Sequence, residues 1–139
     1  MNDPVFIDTS GWIALLNRRD QDHAAASERM DEFRRARRIL VMTDWVFAEA
    51  GNGLARTMAR LQFVAAARSF LQSTRGRFLW IDDDLFHQAL ALYEQMDDKT
   101  WGLVDCASIL IMQAEGMTEA LTSDRHFQQA GFRCLLPLA

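Results

Sequence analysis

The amino-acid sequence predicts an α/β fold in which a central parallel sheet of about five strands is flanked by helices. Short β-rich runs alternate with helical patterns along the 139 residues, and such alternation is typical of right-handed βαβ units with parallel strands. The two prolines, Pro4 and Pro137, lie near the ends of the sequence, so long uninterrupted helices are permitted between them. This length fits one domain with a substantial core, and we predict a single domain over residues 1–139.

Five short, mostly apolar runs predict the strands of this sheet: residues 5–7, 39–42, 78–81, 120–122 and 133–136. Parallel sheets of this kind bind ligands at the carboxyl ends of their strands. Asp8 directly follows the first run, and Asp124 lies just past the fourth. We therefore expect both carboxylates at the same edge of the sheet.

The segments between the strands predict helices. These helices cover residues 23–36, 45–60, 61–71, 102–114 and 126–130, together with a first helix that ends near residue 16 and one that opens at residues 82–84. Gly51 and Gly53 lie inside the third helix, where each glycine costs roughly 1 kcal/mol relative to alanine, so we expect close backbone approach there. The three aspartates at 82–84 suit the positive end of a helix dipole, and we do not count them as metal ligands.

Composition and segment pattern exclude several classes of protein. Half of the residues are apolar and 24% are charged, a balance that is usual for globular domains. No apolar run approaches the roughly 20 residues of a membrane helix. The first residues lack a basic region ahead of an apolar one, so we predict no signal peptide and a cytoplasmic location.

Cysteine and histidine do not form a recognisable metal motif in this sequence. Cys106 and Cys134 are too few for a disulfide framework, and three scattered histidines give no zinc spacing. If a metal ion binds, its ligands are therefore oxygen atoms. Oxygen ligands favour a hard cation such as Mg²⁺ or Mn²⁺.

The charge pattern allows two interpretations. A formal net charge of −4 argues against a simple electrostatic nucleic-acid binder. All but one of the 15 cationic side chains are arginines, however, and arginine suits bidentate contact with phosphate. The arginines either contact nucleic acid or form a solvated surface that balances the acids.

Asp105 is an acid in an apolar helix. Leu103, Val104, Ile109 and Met112 surround it along the sequence, so the helix is expected to lie inside the protein. An uncompensated carboxylate there would be unfavourable by several kcal/mol. Three kinds of compensation stay open at this point: an arginine, a raised pKa, or a metal ion.

Glu49 raises the same question, because no cationic residue stands three or four positions away in its helix. If Asp8, Glu49, Asp105 and Asp124 converge, each pair at ~4 Å repels by roughly 4 kcal/mol at an effective dielectric near 20. A cation would then be needed to hold them together. The alternatives are turn or cap roles for Asp8 and Asp124, and buried arginine partners for Glu49 and Asp105.

Four hydroxyl residues lie beside these acids in the sequence. We interpret them as caps or turn formers rather than as catalysts, although hydroxyls could support bound water or phosphate. They are Thr9, Ser10, Thr122 and Ser123.

Four segments together resemble the PIN-domain ribonucleases, most closely the VapC-type toxins of toxin–antitoxin pairs. They are FIDTSGWIALL at 6–16, TDWVFAEAGN at 43–52, DKTWGLVDCAS at 98–108 and ALTSDRHFQQAGF at 120–132. Each segment alone is weak evidence for the family, whereas the order and spacing of all four are specific to it. The resemblance covers essentially the whole chain and implies a three-layer PIN-like fold with the acids at the carboxyl edge of the sheet.

The resemblance also implies a function for the four acids. Asp8, Glu49, Asp105 and Asp124 match the acidic quartet of an endoribonuclease that depends on Mg²⁺, with Mn²⁺ possible, and that hydrolyses RNA through a metal-activated water. Asp8 and Asp105 are expected as direct ligands and Asp124 as a ligand directly or through water. Glu49 has three open roles: holding a water, positioning the nucleophile, or helping to bind a second ion. Asp98 is a candidate outer residue, with an ion pair to the neighbouring lysine as the alternative.

The partners that the resemblance implies are an RNA substrate, a small antitoxin and a second copy of the chain in a homodimer. The main alternative is a non-catalytic, metal-stabilised PIN module that binds RNA or protein. A haloacid-dehalogenase-type phosphatase fits poorly, because Ser10 stands where its second aspartate is needed. A receiver domain fits poorly as well, because Lys99 precedes a helix.

Overall fold

The first strand of the chain lies at the centre of the sheet. The computed structural model describes residues 3–139, and its sheet has the strand order β3-β2-β1-β4-β5 with parallel pairing throughout. This arrangement confirms the predicted fold class. The strands are β1 (Val5–Ile7), β2 (Leu40–Thr43), β3 (Gly76–Leu79), β4 (Glu119–Leu121) and β5 (Arg133–Cys134).

Within the described part of the chain, seven helices flank this sheet. In one group α1 contacts α2 and α3, and α3 contacts α4; in the other α6 contacts α5 and α7. Within residues 3–139 no helix is both long and apolar enough to cross a membrane. The helices are α1 (Thr9–Leu16), α2 (His23–Arg35), α3 (Asp44–Leu54), α4 (Arg60–Gln72), α5 (Asp83–Gln95), α6 (Leu103–Ala114) and α7 (Arg125–Gln129).

The core lies on both faces of the central strands. All three residues of β1 are fully buried, as are Val41 and Met42 of β2, because helices cover a parallel sheet from both sides. Phe47 of α3 extends the core under α4, where its ring contacts the rings of Phe63 and Phe70. The central strands are therefore held firmly, and their carboxyl ends are fixed points for a site.

Three predicted elements differ from the observed ones by two residues or more, and the others by at most one residue at the ends that the sequence predicted. β3 begins and ends two residues before the predicted run of 78–81, because it pairs with β2 only as far as Thr43 opposite Leu79. The backbone N–H of Ile81 donates instead to Asp44 Oδ1 at 2.8 Å. The helix predicted over 45–60 ends at Leu54, whose carbonyl oxygen accepts the Thr57 hydroxyl. The strand predicted over 133–136 is confined to Arg133–Cys134.

The closest approach of a glycine to another segment's backbone occurs at Gly11, not at the two predicted glycines. A Cβ atom on Gly11 would lie 2.2 Å from the carbonyl oxygen of Leu121 at the end of β4. At Gly51 and Gly53 a Cβ would instead meet side chains, those of Phe63 and Ile13. Gly11 therefore allows the start of α1 to rest directly on β4.

Replacing Gly11 with alanine should destabilise the protein by about 1–3 kcal/mol, because the backbone of β4 cannot move away without disturbing the sheet. Gly53→Ala is the matched control, since the Cβ there meets the flexible end of Ile13 and alanine improves helix propensity by up to about 1 kcal/mol. Urea unfolding of both variants measures the difference. Equal stabilities for the two variants would contradict the close contact at Gly11.

Candidate metal centre

The carboxyl ends of β1 and β4 bring two of the predicted acids to one edge of the sheet. These strands are parallel neighbours, and the backbone N–H of Asp8 donates to the carbonyl oxygen of Leu121 at 3.3 Å. Asp124 follows β4 and caps α7, with Oδ1 accepting the backbone N–H of His126 at 2.9 Å. The cap role that the sequence left open for Asp124 is therefore real, and the charge of Asp124 acts on Asp8.

Asp8 is the most deeply buried of the four acids, with 3% of its surface exposed. Its Oδ2 accepts the Thr122 hydroxyl at 2.9 Å. Burial raises the pKa of Asp8 from 3.8 to about 7; hydrogen bonds from Thr9 and Thr122 oppose this shift, and the charges of Asp105 and Asp124 add to it. Asp8 is therefore a carboxyl group whose negative form lacks sufficient compensation from the protein.

Asp105 lies in the first turn of α6, half inside the protein. Its Oδ2 accepts the backbone N–H of Gly102 at 2.9 Å and contacts His126 Nδ1 at 2.8 Å. Burial raises the pKa of Asp105, the Gly102 hydrogen bond lowers it and Asp124 raises it further. Among residues 3–139, its ion-pair partner is His126 rather than an arginine, so the arginine alternative is wrong for Asp105.

His126 stands between two of the acids. Its Nδ1 is 2.8 Å from Asp105 Oδ2 and 3.1 Å from Asp124 Oδ1. One ligand atom from each of these three residues lies within 4.8 Å of the others. The group could hold a divalent ion, and sequence reasoning missed its histidine because isolated histidines were judged by zinc spacing. The position two residues after Asp124 is the signal that was available.

Glu49 does not lie in the buried environment that its apolar neighbours suggested. Its side chain is exposed, because α3 turns Val46 and Ala50 into the core instead. Glu49 Oε1 accepts a short hydrogen bond from the Thr9 hydroxyl, and Thr9 directly follows Asp8. The expectation of an unfavourable buried charge at Glu49 is wrong, although the side chain does reach the residue next to Asp8.

Two hydroxyl residues do more than cap or turn the chain. Thr122 is fully buried, and its Oγ1 donates to Asp8 while accepting the backbone N–H of Asp124 at 3.0 Å. Ser10 Oγ lies 3.0 Å from Thr122 Oγ1 and accepts the Ser123 N–H at 3.1 Å. These contacts tie the end of β1 to the end of β4 around the acids.

Asp98 forms the ion pair with the neighbouring lysine that the sequence left open as the alternative to an outer role at the metal. Its Oδ2 pairs with Lys99 Nζ at 3.2 Å, and its side chain is 69% exposed. An exposed pair of this kind contributes little to stability. Asp98 therefore serves as a surface reference against which the clustered acids can be compared.

The donor set of this centre fits a hard divalent cation. Asp105 and Asp124 contribute oxygen atoms, and the field of both acts on the buried carboxyl of Asp8. Like charges gathered in this way are unfavourable until a cation neutralises them. Fold and site together define an α/β domain with a carboxylate centre at the carboxyl edge of its parallel sheet. The chain belongs to the PIN domain family, which its sequence matches over residues 5–133.

Comparison with known proteins shows which members of the PIN domain family this chain is similar to. The chain is 33% identical over 129 residues to the 23S rRNA-specific endonuclease VapC20 of Mycobacterium tuberculosis, covering 92% of this chain and 95% of the relative. The crystal structure of M. tuberculosis VapC20, described as a Sarcin-Ricin loop cleaving toxin, superposes with a TM-score of 0.83 at 30% identity, covering 96% of this chain and 99% of that chain. VapBC2 from Rickettsia felis shares the fold, with a TM-score of 0.65 at 14% identity over 94% of this chain and 96% of that chain.

Proposed function

We propose that this chain is a magnesium-dependent endoribonuclease and the toxin of a type II toxin–antitoxin pair. The observation that carries the proposal is the buried carboxyl of Asp8, which shares one sheet edge with Asp105 and Asp124. Membership of the PIN domain family and the endonuclease activity of the relative VapC20 support the same activity. The proposal covers the chain as one PIN domain, residues 1–139, acting in the cytoplasm.

The clustered acids have unequal roles in this proposal. Asp8 and Asp105 bind the ion directly, and Asp124 binds it directly or through a water molecule. Two hydrogen bonds of Asp105 fall on Oδ2, so its Oδ1 would be the oxygen that faces the ion. When bound, Mg²⁺ supplies a Lewis acid for phosphodiester hydrolysis, with Mn²⁺ as a possible substitute.

The sarcin–ricin loop of 23S rRNA is our first candidate substrate, because VapC20 is named for cleaving it. A shallow pocket beside the acids is lined by Ser10, Ser123, Asp124 and His126, together with the exposed Arg125. An arginine at this position can bind a phosphate of a looped RNA strand next to the scissile bond. On this proposal, Arg125 is an arginine of the sequence that contacts the RNA.

A small antitoxin is the proposed regulatory partner. An apolar groove between α1, α2 and α4 is lined by Trp12, Leu16, Met30, Phe33 and Phe70, with arginines at its margin. Such a groove suits the apolar face of a partner helix. The proposed homodimer rests on the family resemblance, and light scattering of the purified chain tests it.

Cleavage of a sarcin–ricin RNA hairpin by antitoxin-free protein tests the proposed function. We expect cleavage with Mg²⁺ and none with EDTA. A hairpin with the same stem and a scrambled loop controls for unspecific cutting, and total RNA widens the search if the first hairpin is resistant. RNA binding without any cleavage would favour the non-catalytic binding module instead.

Replacing Glu49 with glutamine should reduce cleavage about 10- to 100-fold, a loss typical for residues that support a metal centre from outside its first ligands. The amide can still accept the Thr9 hydroxyl, so the fold should be unchanged, whereas the charge is removed. Single-turnover cleavage rates measure the effect. A rate equal to that of the wild type would remove Glu49 from the proposed quartet.

A further inference from the structure

We infer that His126 is a positioning residue that holds Asp105 and Asp124 at the spacing for one divalent ion, and that Thr100 fixes the orientation of its ring. The inference rests on the proposed metal-dependent function and concerns a residue outside the predicted quartet. Its basis is a chain of contacts that runs from Thr100 through the imidazole to both carboxylates.

The first step is the position of the imidazole ring. Nδ1 lies 2.8 Å from Asp105 Oδ2 and 3.1 Å from Asp124 Oδ1, so one ring atom joins acids from α6 and from the start of α7. Ionised carboxylates only accept hydrogen bonds. The ring therefore donates from Nδ1 and sets the separation of the two side chains.

The second step is what holds the ring itself. Nε2 lies 3.0 Å from the Thr100 hydroxyl, which can donate to it while Nδ1 carries the proton. The tautomer of a histidine is set by the bond that its other nitrogen makes. Thr100 lies before α6 and His126 lies in α7, so the contact also joins the two segments that carry the acids.

The third step concerns the two carboxylate oxygens of Asp105. The bonds from Gly102 and His126 both end on Oδ2, which orients Oδ1 without occupying it. Outer hydrogen bonds of this kind fix ligand geometry in metal sites, and their loss typically reduces metal affinity or activity about 10- to 100-fold. His126 thus acts on the ion through the carboxylates.

The test uses His126→Ala, His126→Asn and Thr100→Val, with the exposed histidine variant His87→Ala as the matched control. Mn²⁺ affinity of the RNA-free protein, measured by electron paramagnetic resonance, should fall about 10- to 100-fold in His126→Ala. Asparagine places an N–H donor near the position of Nδ1, so His126→Asn should recover most of the affinity. Thr100→Val should change it in the same direction as alanine but less, and His87→Ala should leave it unchanged.

The same samples distinguish this inference from the proposed function. If the wild type showed neither Mn²⁺ binding nor cleavage, the metal-dependent function itself would be overturned. Wild-type affinity in His126→Ala, or tighter binding than the wild type, would overturn only the positioning role. A strong ¹⁴N coupling to Mn²⁺ that disappears in His126→Ala would also overturn it, since the ring would then be a direct ligand. Thermal unfolding in EDTA checks that the variants are folded, and His126→Asn keeps the test decisive if alanine is not tolerated.

Discussion

Asp105→Asn should reduce RNA cleavage by more than about 100-fold, beyond the range that is typical for outer residues of metal centres. The substitution removes the charge of a proposed direct ligand and leaves its shape nearly unchanged. The amide oxygen can still accept the Gly102 N–H that caps α6, so the folded structure should persist. The loss should therefore appear in the metal dependence and the cleavage rate rather than in stability.

Asp98→Asn is the matched control for this experiment, because Asp98 is an exposed acid in the same sequence segment, 98–108, as Asp105. Cleavage of the hairpin is followed over a Mg²⁺ titration for the wild type and both variants. Isothermal titration with Mg²⁺ measures binding separately. Metal-dependent cleavage that survives Asp105→Asn at the wild-type rate would overturn the assignment of Asp105 as a ligand.

In the absence of metal, the protein should lose stability as the pH rises towards neutrality. Asp8 has an ordinary pKa of 3.8 in the unfolded chain and a pKa of about 7 in the folded protein, so the folded state binds the proton more tightly. The stabilisation is fully present below pH 3.8 and is lost as the pH rises through 7. Between pH 5 and pH 8 the decrease in the free energy of unfolding should be roughly 2–3 kcal/mol.

Urea unfolding in EDTA at several pH values measures this slope, and Asp8→Asn is the control because an amide does not titrate. The variant should show a flatter profile over the same range. Mg²⁺ should restore the stability of the wild type near pH 8 and have little effect on the variant, since the ion would neutralise the ionised carboxylate of Asp8, which asparagine lacks. A wild-type profile as flat as that of the variant would contradict the raised pKa.

The sequence predicted the parallel sheet and the positions of Asp8 and Asp124 just past strand ends because simple physical rules govern both. Val5–Ile7 is a fully apolar segment of a parallel sheet and the run over 120–122 is mostly apolar, and acids that follow such strands meet at one edge. Asp105 was found because a charge in an apolar helix is unusual. These inferences needed only local composition and the direction of the strands.

The remaining features depend on long-range geometry that a single sequence does not contain. The exposure of Glu49 follows from the rotation of α3, which its packing against α1 sets. The extent of β3 follows from where β2 ends. The burial of Asp8 and the bridge through His126 require the approach of α6 and α7 to the central strands, and no local pattern specifies these distances.

The pairing of β1 with β4 has a consequence for the synthesis of the protein. Asp8 and its partner Thr122 are separated by 114 positions in the sequence, so a ribosome makes the first half of the centre long before the second. The strand at the middle of the sheet lacks one neighbour until β4 has left the exit tunnel. A chain still under synthesis therefore lacks the centre that the proposed RNA cleavage needs until Thr122 and Asp124 have left the exit tunnel.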